Sequence, residues 1–187
     1  MLYPKKINAK KGKKIMQTGI IISIFICIFL FVIQKIVTPQ NNWSIIVIAC
    51  FIYTWVITIY SIKTCQNVAS YVFLQMISVS ALLVVIDYFT GFYKWSFNIA
   101  IPIIIITANT IMLILTILSR KKYIKYVIYQ ILICLISYLP ILFITEKLVK
   151  DKLLTYIALG ISILNCIVFI ILCHKDIKEG IKRKLHL

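Results

Sequence analysis

Six long apolar runs, separated by short basic or aromatic stretches, occupy most of the 187-residue sequence. Each run reaches or approaches the roughly 20 residues that an α-helix needs to cross about 30 Å of hydrocarbon. The main solvent of this chain is therefore expected to be lipid, and the expected fold is an all-α integral membrane bundle of six transmembrane helices. The predicted spans are Ile15–Val37, Trp43–Ile62, Tyr71–Phe89, Phe97–Leu118, Tyr126–Thr145 and Leu153–Cys173.

The six predicted spans are expected to leave no stretch long enough for a second folded domain, and the composition does not fit a soluble protein. Charged residues make up 14% of the chain, whereas a soluble domain usually carries about 25%. We predict a basic cytoplasmic segment 1–14, a membrane domain 15–173 and a basic cytoplasmic tail 174–187. The first run is too long for a cleavable signal peptide, and no small-residue cleavage site follows it.

Basic residues set the expected orientation and partners. Sixteen of the 21 Lys and Arg residues fall in the two terminal segments and the second and fourth junctions, and five fall elsewhere. Because cytoplasmic segments carry excess Lys and Arg, both termini are expected on the cytoplasmic side of the membrane. The net charge of +16 then indicates contact with anionic lipid headgroups, or a protein partner, and no nucleic acid.

Few residues in the sequence suit catalysis or metal binding. None of the six cysteines forms a CxxC pair, and His174 and His186 lie far from any cysteine cluster. The predicted spans contain no His, no paired carboxylates and no P-loop. We therefore expect neither an enzyme nor a bound cofactor or metal.

Polar residues within the spans recur at helical spacing and are expected to face other helices. An unsatisfied polar group costs several kcal/mol in hydrocarbon, so such stripes should lie inside the bundle. Structural packing and a ligand site are both open for these stripes, with Asn109 as a candidate site residue. The stripes are Thr54, Thr58 and Ser61; Gln75 and Ser78; Pro102, Asn109 and Thr116; Gln130, Cys134 and Ser137; and Ser162 and Asn165.

The junction between the third and fourth spans holds the remaining candidates. Asp87 is the only acid in a predicted span, and a carboxylate in a membrane helix is by default a functional hypothesis, as a proton carrier or cation ligand. Alternatively, Asp87 has a structural role: it lies two residues from the end of its predicted helix, where it can pair with Lys94 or cap a turn. Pro102 cannot donate a hydrogen bond to the carbonyl of Asn98, so a bend is expected there.

The aromatic residues of the junction have two interpretations. In the first, the bend at Pro102 and the residues Gly91, Trp95 and Asn98 shape an outward-facing pocket around Asp87. Alternatively, the tyrosines and Trp95 form the aromatic belt found at membrane interfaces. The candidate site residues are Asp87, Trp95, Asn98, Pro102 and Asn109.

The same junction carries a resemblance to a known family. The relevant residues are Ile86-Asp87-Tyr88-Phe89-Thr90-Gly91-Phe92-Tyr93-Lys94-Trp95-Ser96, Ile101-Pro102-Ile103, Tyr53, Trp55 and the tail Lys182-Arg183-Lys184-Leu185-His186-Leu187. They resemble the bacterial membrane proteins of domain-of-unknown-function family 6320 over nearly the whole chain. Family members typically begin with a zinc ribbon and a Tyr-Pro. Here Tyr3-Pro4 stands without ribbon cysteines, so the ribbon was lost or the start was placed downstream of it, and no metal or ribbon-bound partner is implied.

Two functions agree with this sequence. The first is a non-enzymatic membrane module that senses, scaffolds or regulates a partner through its basic cytoplasmic face. The second is a small transporter or proton-coupled permease that uses Asp87. The two halves of the chain do not resemble each other, so the inverted repeat of many transporters is missing, which favours the first function.

Overall fold

Helices make up most of the part of the chain that the structure describes. The computed structural model describes residues 9–39, 42–64, 68–118, 124–145, 149 and 152–184. All regular elements in these ranges are helices, which confirms the all-α prediction. They are α1 Ala9–Val37, α2 Trp43–Thr64, α3 Val68–Phe89, a π-helical turn Ser96–Ala100, α4 Ile101–Leu118, α5 Ile124–Ile136, α6 Leu139–Thr145 and α7 Lys152–Lys184. Tyr3-Pro4, Cys65 and the basic junction 119–123 lie outside the described residues.

Five helical stretches in these ranges are long and apolar enough to cross a membrane. They are Lys14–Val37, Trp43–Ile62, Val68–Phe89, Ser96–Leu118 and Lys152–Ile171. They agree with five of the six predicted spans and with the membrane class. The terminal helices extend further than those spans, since α1 begins at Ala9 and α7 continues to Lys184.

The predicted fifth span, Tyr126–Thr145, is interrupted. Its helix stops at Ile136 and resumes at Leu139. Pro140 explains the break, because proline has no N–H for the carbonyl four residues earlier and its ring clashes with that carbonyl. The backbone forms a tighter turn there, in which the Tyr138 N–H donates to the Leu135 carbonyl, three residues back, at 3.2 Å. The continuous apolar helix predicted here is therefore two shorter helices, α5 and α6.

The chain divides into two compact units, and the first covers residues 1–58. Its helices, α1 and the start of α2, form a hairpin held by hydrogen bonds between polar side chains and the facing helix. The indole N–H of Trp55 donates to Ser23 Oγ at 2.9 Å. Near the turn, Gln34 Oε1 accepts the backbone N–H of Ser44 at 2.8 Å and so caps the first turn of α2. Gln34 is thus a helix cap contributed by the neighbouring helix.

Gly19 allows α1 to approach Trp55 closely, which leads to a prediction. A Cβ at Gly19 would lie 2.9 Å from a ring carbon of Trp55, and the ring is held in place by Ser23. We expect Gly19→Ala to lower the free energy of unfolding by about 1 kcal/mol, because the ring must move. Gly160→Ala is the matched control, since a Cβ there meets nothing within 4 Å and alanine favours a helix by about 0.5–1 kcal/mol. Denaturant titration in mixed micelles measures both, and equal effects would contradict the prediction.

The polar stripe predicted to face inward on α2 is partly wrong. Thr54 is exposed and Thr58 is half-buried. The Thr54 hydroxyl donates to the Cys50 carbonyl at 2.8 Å, and the Thr58 hydroxyl donates to the Thr54 carbonyl at 2.7 Å. A threonine that bonds to the preceding turn of its own helix has satisfied its hydroxyl, so it does not need a neighbouring helix.

The second unit covers residues 59–187 and has α4 at its centre. This helix packs against α3, α5 and α7. The prediction of inward polar stripes is confirmed for α4, α5 and α7. Their buried stripe residues are Pro102, Asn109, Thr116, Gln130, Cys134, Ser137, Ser162 and Asn165. Around them lies an apolar core that includes Met76, Ile105, Met112, Ile133 and Ala158.

Candidate functional site

Asp87 lies at the end of α3 and is fully buried, with 0% of its surface exposed. Its Oδ2 accepts two hydrogen bonds from Ser96, from the backbone N–H at 3.1 Å and from the hydroxyl at 2.6 Å. Its other oxygen, Oδ1, is buried without a hydrogen-bond partner among the described residues. Asp87 therefore fastens the end of α3 to the first residue of the π-helical turn and keeps one oxygen unpaired.

The turn that brings Ser96 to Asp87 contains an unusual backbone. Gly91 has a φ of 118°, and the Phe92 N–H donates to the Asp87 carbonyl at 2.8 Å. That six-to-one bond is the one that closes a helix end after a glycine. Phe92 and Lys94 have φ angles of 52° and 62°, which cost about 1–2 kcal/mol per non-glycine residue. Strain of this kind persists only where surrounding contacts hold it, and it often marks functional sites.

A π-helical turn occupies the place where the sequence predicts a bend. The Ile101 N–H donates to the Ser96 carbonyl, five residues back. This wider turn directly precedes Pro102, which has no N–H for the Asn98 carbonyl. The Asn98 side-chain amide donates to the Lys94 carbonyl at 2.9 Å. Asn98 and Pro102 thus shape the backbone of this junction.

Aromatic contacts anchor the junction to the rest of its unit. The Phe92 and Phe97 rings lie 6.3 Å apart, and Phe97 meets Phe143 of α6 edge-to-face at 4.9 Å. The ammonium group of Lys94 lies 5.9 Å from the centre of the Phe92 ring. Phenylalanines therefore connect the strained turn to the broken helix.

The belt interpretation fits the tyrosines of this junction better than its tryptophan. Tyr88 and Tyr93 are largely exposed, at 65% and 76%. Exposed tyrosines at a helix end are typical of membrane interfaces. Trp95, in contrast, is half-buried next to Ser96.

Asn109 belongs to a separate polar cluster that joins three helical segments. Its Nδ2 donates to Ser137 Oγ at 3.0 Å and to the Ile105 carbonyl at 2.9 Å. Asn165 of α7 donates from its Nδ2 to the Asn109 carbonyl and side-chain oxygen, at 3.0 and 3.1 Å. Ser137 lies at the α5–α6 break, so this cluster ties the break to α4 and α7.

The polar face of α5 continues next to this cluster. Gln130 Nε2 donates to Cys134 Sγ at 3.7 Å, and that thiol donates to the Ser162 carbonyl of α7 at 3.9 Å. Gln130 Oε1, Ser162 Oγ and Thr155 Oγ1 are buried without hydrogen-bond partners among the described residues. The α5–α7 contact therefore combines weak sulfur bonds with unpaired oxygens.

The structure places the five candidate residues in two groups. Asp87, Trp95, Asn98 and Pro102 share the α3–α4 junction. Asn109 lies about 10 Å further along α4 than Pro102, at 1.5 Å per residue. Sequence reasoning did not single out Ser96, and it did not connect Ser137 or Asn165 with Asn109. Pro140 is the sequence signal that could have located the α5–α6 break and, with it, Ser137.

An apolar groove lies between α3, α4 and the broken helix. We call it the α3–α6 groove; its volume is about 540 Å³. Its lining residues are Met76, Ile77, Ser80, Ala81, Val84, Phe97, Ile101, Ile105, Ile136, Leu139, Pro140 and Phe143. A smaller cleft of about 310 Å³ lies between α3 and α4, next to Gln75 and Thr107. Neither wall includes Asp87, Trp95 or Asn98.

Comparison with known proteins assigns the family. A family of unknown function (DUF6320) matches residues 3–187. This chain belongs to the DUF6320 family. No curated protein and no solved structure matches it. The resemblance carried by the Asp87–Ser96 junction is thereby confirmed for nearly the full chain, and this DUF6320 member has five helices long and apolar enough to span a membrane within its described residues.

Proposed function

We propose that this protein is a non-enzymatic module of the bacterial plasma membrane that senses, scaffolds or regulates a partner through its basic cytoplasmic face. One observation carries the proposal: the buried polar side chains of Asp87 and Asn109 bond to neighbouring elements of the second unit. Asp87 bonds to Ser96, and Asn109 bonds to Ser137 and Asn165. The α3–α6 groove beside them is apolar, with Ser80 as its one hydroxyl.

The proposed topology has six crossings with both termini in the cytoplasm. This topology requires α5 and α6 to form one membrane crossing between them. Their apolar stretch, Ile128–Ile144, is at the short end of the roughly 17–25 residues that span a bilayer. The bias of sixteen basic residues against five supports this orientation. A phosphatase that is active only outside the cytoplasm should stay inactive when fused after Lys184. Activity there would place the C terminus outside and contradict the proposal.

Flux measurements test the proposed absence of transport. We expect purified protein in proteoliposomes to dissipate a pH gradient no faster than protein-free vesicles, with Asp87→Asn behaving like the wild type. The physical reason is that Asp87 Oδ2 is engaged by Ser96 and that the groove walls offer little for an ion to bind. Circular dichroism of both reconstituted proteins controls for folding. Protein-dependent proton or cation flux would contradict the regulatory proposal.

The alternative, a proton-coupled permease, is favoured by the second carboxylate oxygen. Asp87 Oδ1 is buried without a partner among the described residues, and a carboxyl group inside a membrane protein is a common proton relay. Because Oδ2 accepts twice from Ser96, Oδ1 is the oxygen available to a proton. Flux in the wild type that Asp87→Asn abolishes would establish this alternative.

A further inference from the structure

We propose that the α3–α6 groove binds one acyl chain of a membrane lipid. The proposal concerns a ligand, so it holds whether the protein regulates a partner or transports a substrate. Its first basis is the chemistry of the wall. Met76, Ile101 and Ile105 form a buried floor, with exposures of 3%, 8% and 2%. The wall contains no charged side chain, so the groove suits hydrocarbon.

Water is a poor occupant of this groove. A volume of about 540 Å³ would hold on the order of ten waters, and each buried water needs about three hydrogen-bond partners. Among the lining side chains, only Ser80 offers a hydroxyl. An empty groove is also unfavourable, because its lining atoms lose their dispersion contacts. A flexible apolar chain can make dispersion contacts with the lining side chains and needs no hydrogen-bond partners, unlike water.

The mouth of the groove opens at the depth of the hydrocarbon. The most exposed large lining residues are Ile77 of α3, at 40%, and Leu139 of α6, at 46%. Ile77 lies near the middle of the membrane-length helix Val68–Phe89. Lipid acyl chains fill the bilayer at that depth. A chain can therefore enter sideways from the bilayer without crossing a polar surface.

The α5–α6 break creates the space that the chain fills. Ile136 precedes the break, Leu139, Pro140 and Phe143 follow it, and all four line the groove. A continuous helix would present a regular row of side chains to α3, whereas the interrupted one leaves a gap. A bound chain would contact both sides of the break and replace the missing side-chain packing.

Photo-cross-linking tests the site directly. The probe is a phosphatidylcholine with a diazirine in its acyl chain, incorporated into proteoliposomes that contain the full chain. We expect mass spectrometry to find adducts on the floor residues Met76, Ile101 and Ile105, which ordinary surrounding lipid does not reach. Adducts confined to outward-facing residues would overturn the proposal without any variant being needed. Loss of the floor adducts when the protein-to-lipid ratio is raised would also overturn it, because a second copy of the chain would then be the occupant.

A pair of substitutions gives the matched comparison. Ala81→Trp places an indole in the groove, and we expect the floor adducts to be lost. Ile163→Trp adds the same ring to α7, at a residue that is 45% exposed and outside the groove wall, and we expect wild-type adduct yields there. Equal yields in both variants would overturn the proposal.

Discussion

Replacing Asn109 with leucine is expected to lower the free energy of unfolding by about 2 kcal/mol. A hydrogen bond between membrane helices contributes only about 0.6 kcal/mol on average. The expected loss is larger because the substitution also leaves buried partners of Asn109 unpaired. The substitution removes the bond to Ser137 Oγ and the acceptor for one bond from Asn165. The bond from Asn165 to the Asn109 backbone carbonyl at 3.0 Å can persist, which limits the loss. Titration with denaturing detergent in mixed micelles, followed by circular dichroism, measures the change.

The adjacent threonine provides the matched control. Thr110 is exposed, and its hydroxyl donates to the Ile106 carbonyl of its own helix at 2.8 Å. Thr110→Val should therefore change the unfolding free energy by less than about 0.5 kcal/mol. The double variant with Asn165→Leu should lose less than the sum of its parts, because replacing both partners with apolar groups leaves fewer buried groups unpaired. Strict additivity would mean that the two asparagines do not interact.

The sequence predicted the buried faces of the second unit because the polar residues there have helical spacing. Asn109 and Ser162 are buried as that spacing requires. The same argument was wrong for Thr54, because a threonine can satisfy its hydroxyl within its own helix. Spacing identifies a common face but does not identify the hydrogen-bond acceptor.

The partners of the candidate residues could not be predicted from the sequence. Ser96 reaches Asp87 only because Gly91, Phe92 and Lys94 adopt positive φ angles, and the residue types at positions 92 and 94 do not indicate that conformation. Similarly, Gln34 caps α2 through a contact between helices, which no local pattern encodes. Pro140 differs, because a proline inside an apolar run predicts a break directly.

The largest stability effect is expected for Asp87→Leu, at about 3 kcal/mol, because it leaves both the Ser96 N–H and hydroxyl without their acceptor, at about 1–3 kcal/mol for each buried group. Ser96 is as fully buried as Asp87, at 0% exposure, so water cannot replace the lost bonds. The junction also stores strain at Phe92 and Lys94, and releasing its anchor should let the turn relax. The same detergent titration measures the loss.

Two further substitutions separate the carboxylate's shape from its charge. Asp87→Asn keeps one oxygen that can accept from Ser96, and its amide takes the place of an Oδ1 that already lacks a partner, so we expect a loss below about 1 kcal/mol. Ser96→Ala removes the 2.6 Å hydroxyl bond but keeps the backbone one, so its loss should lie between those of the two Asp87 variants. If Asp87→Asn destabilised the protein as much as Asp87→Leu, the negative charge, rather than the acceptor geometry, would be what holds α3 to the π-helical turn.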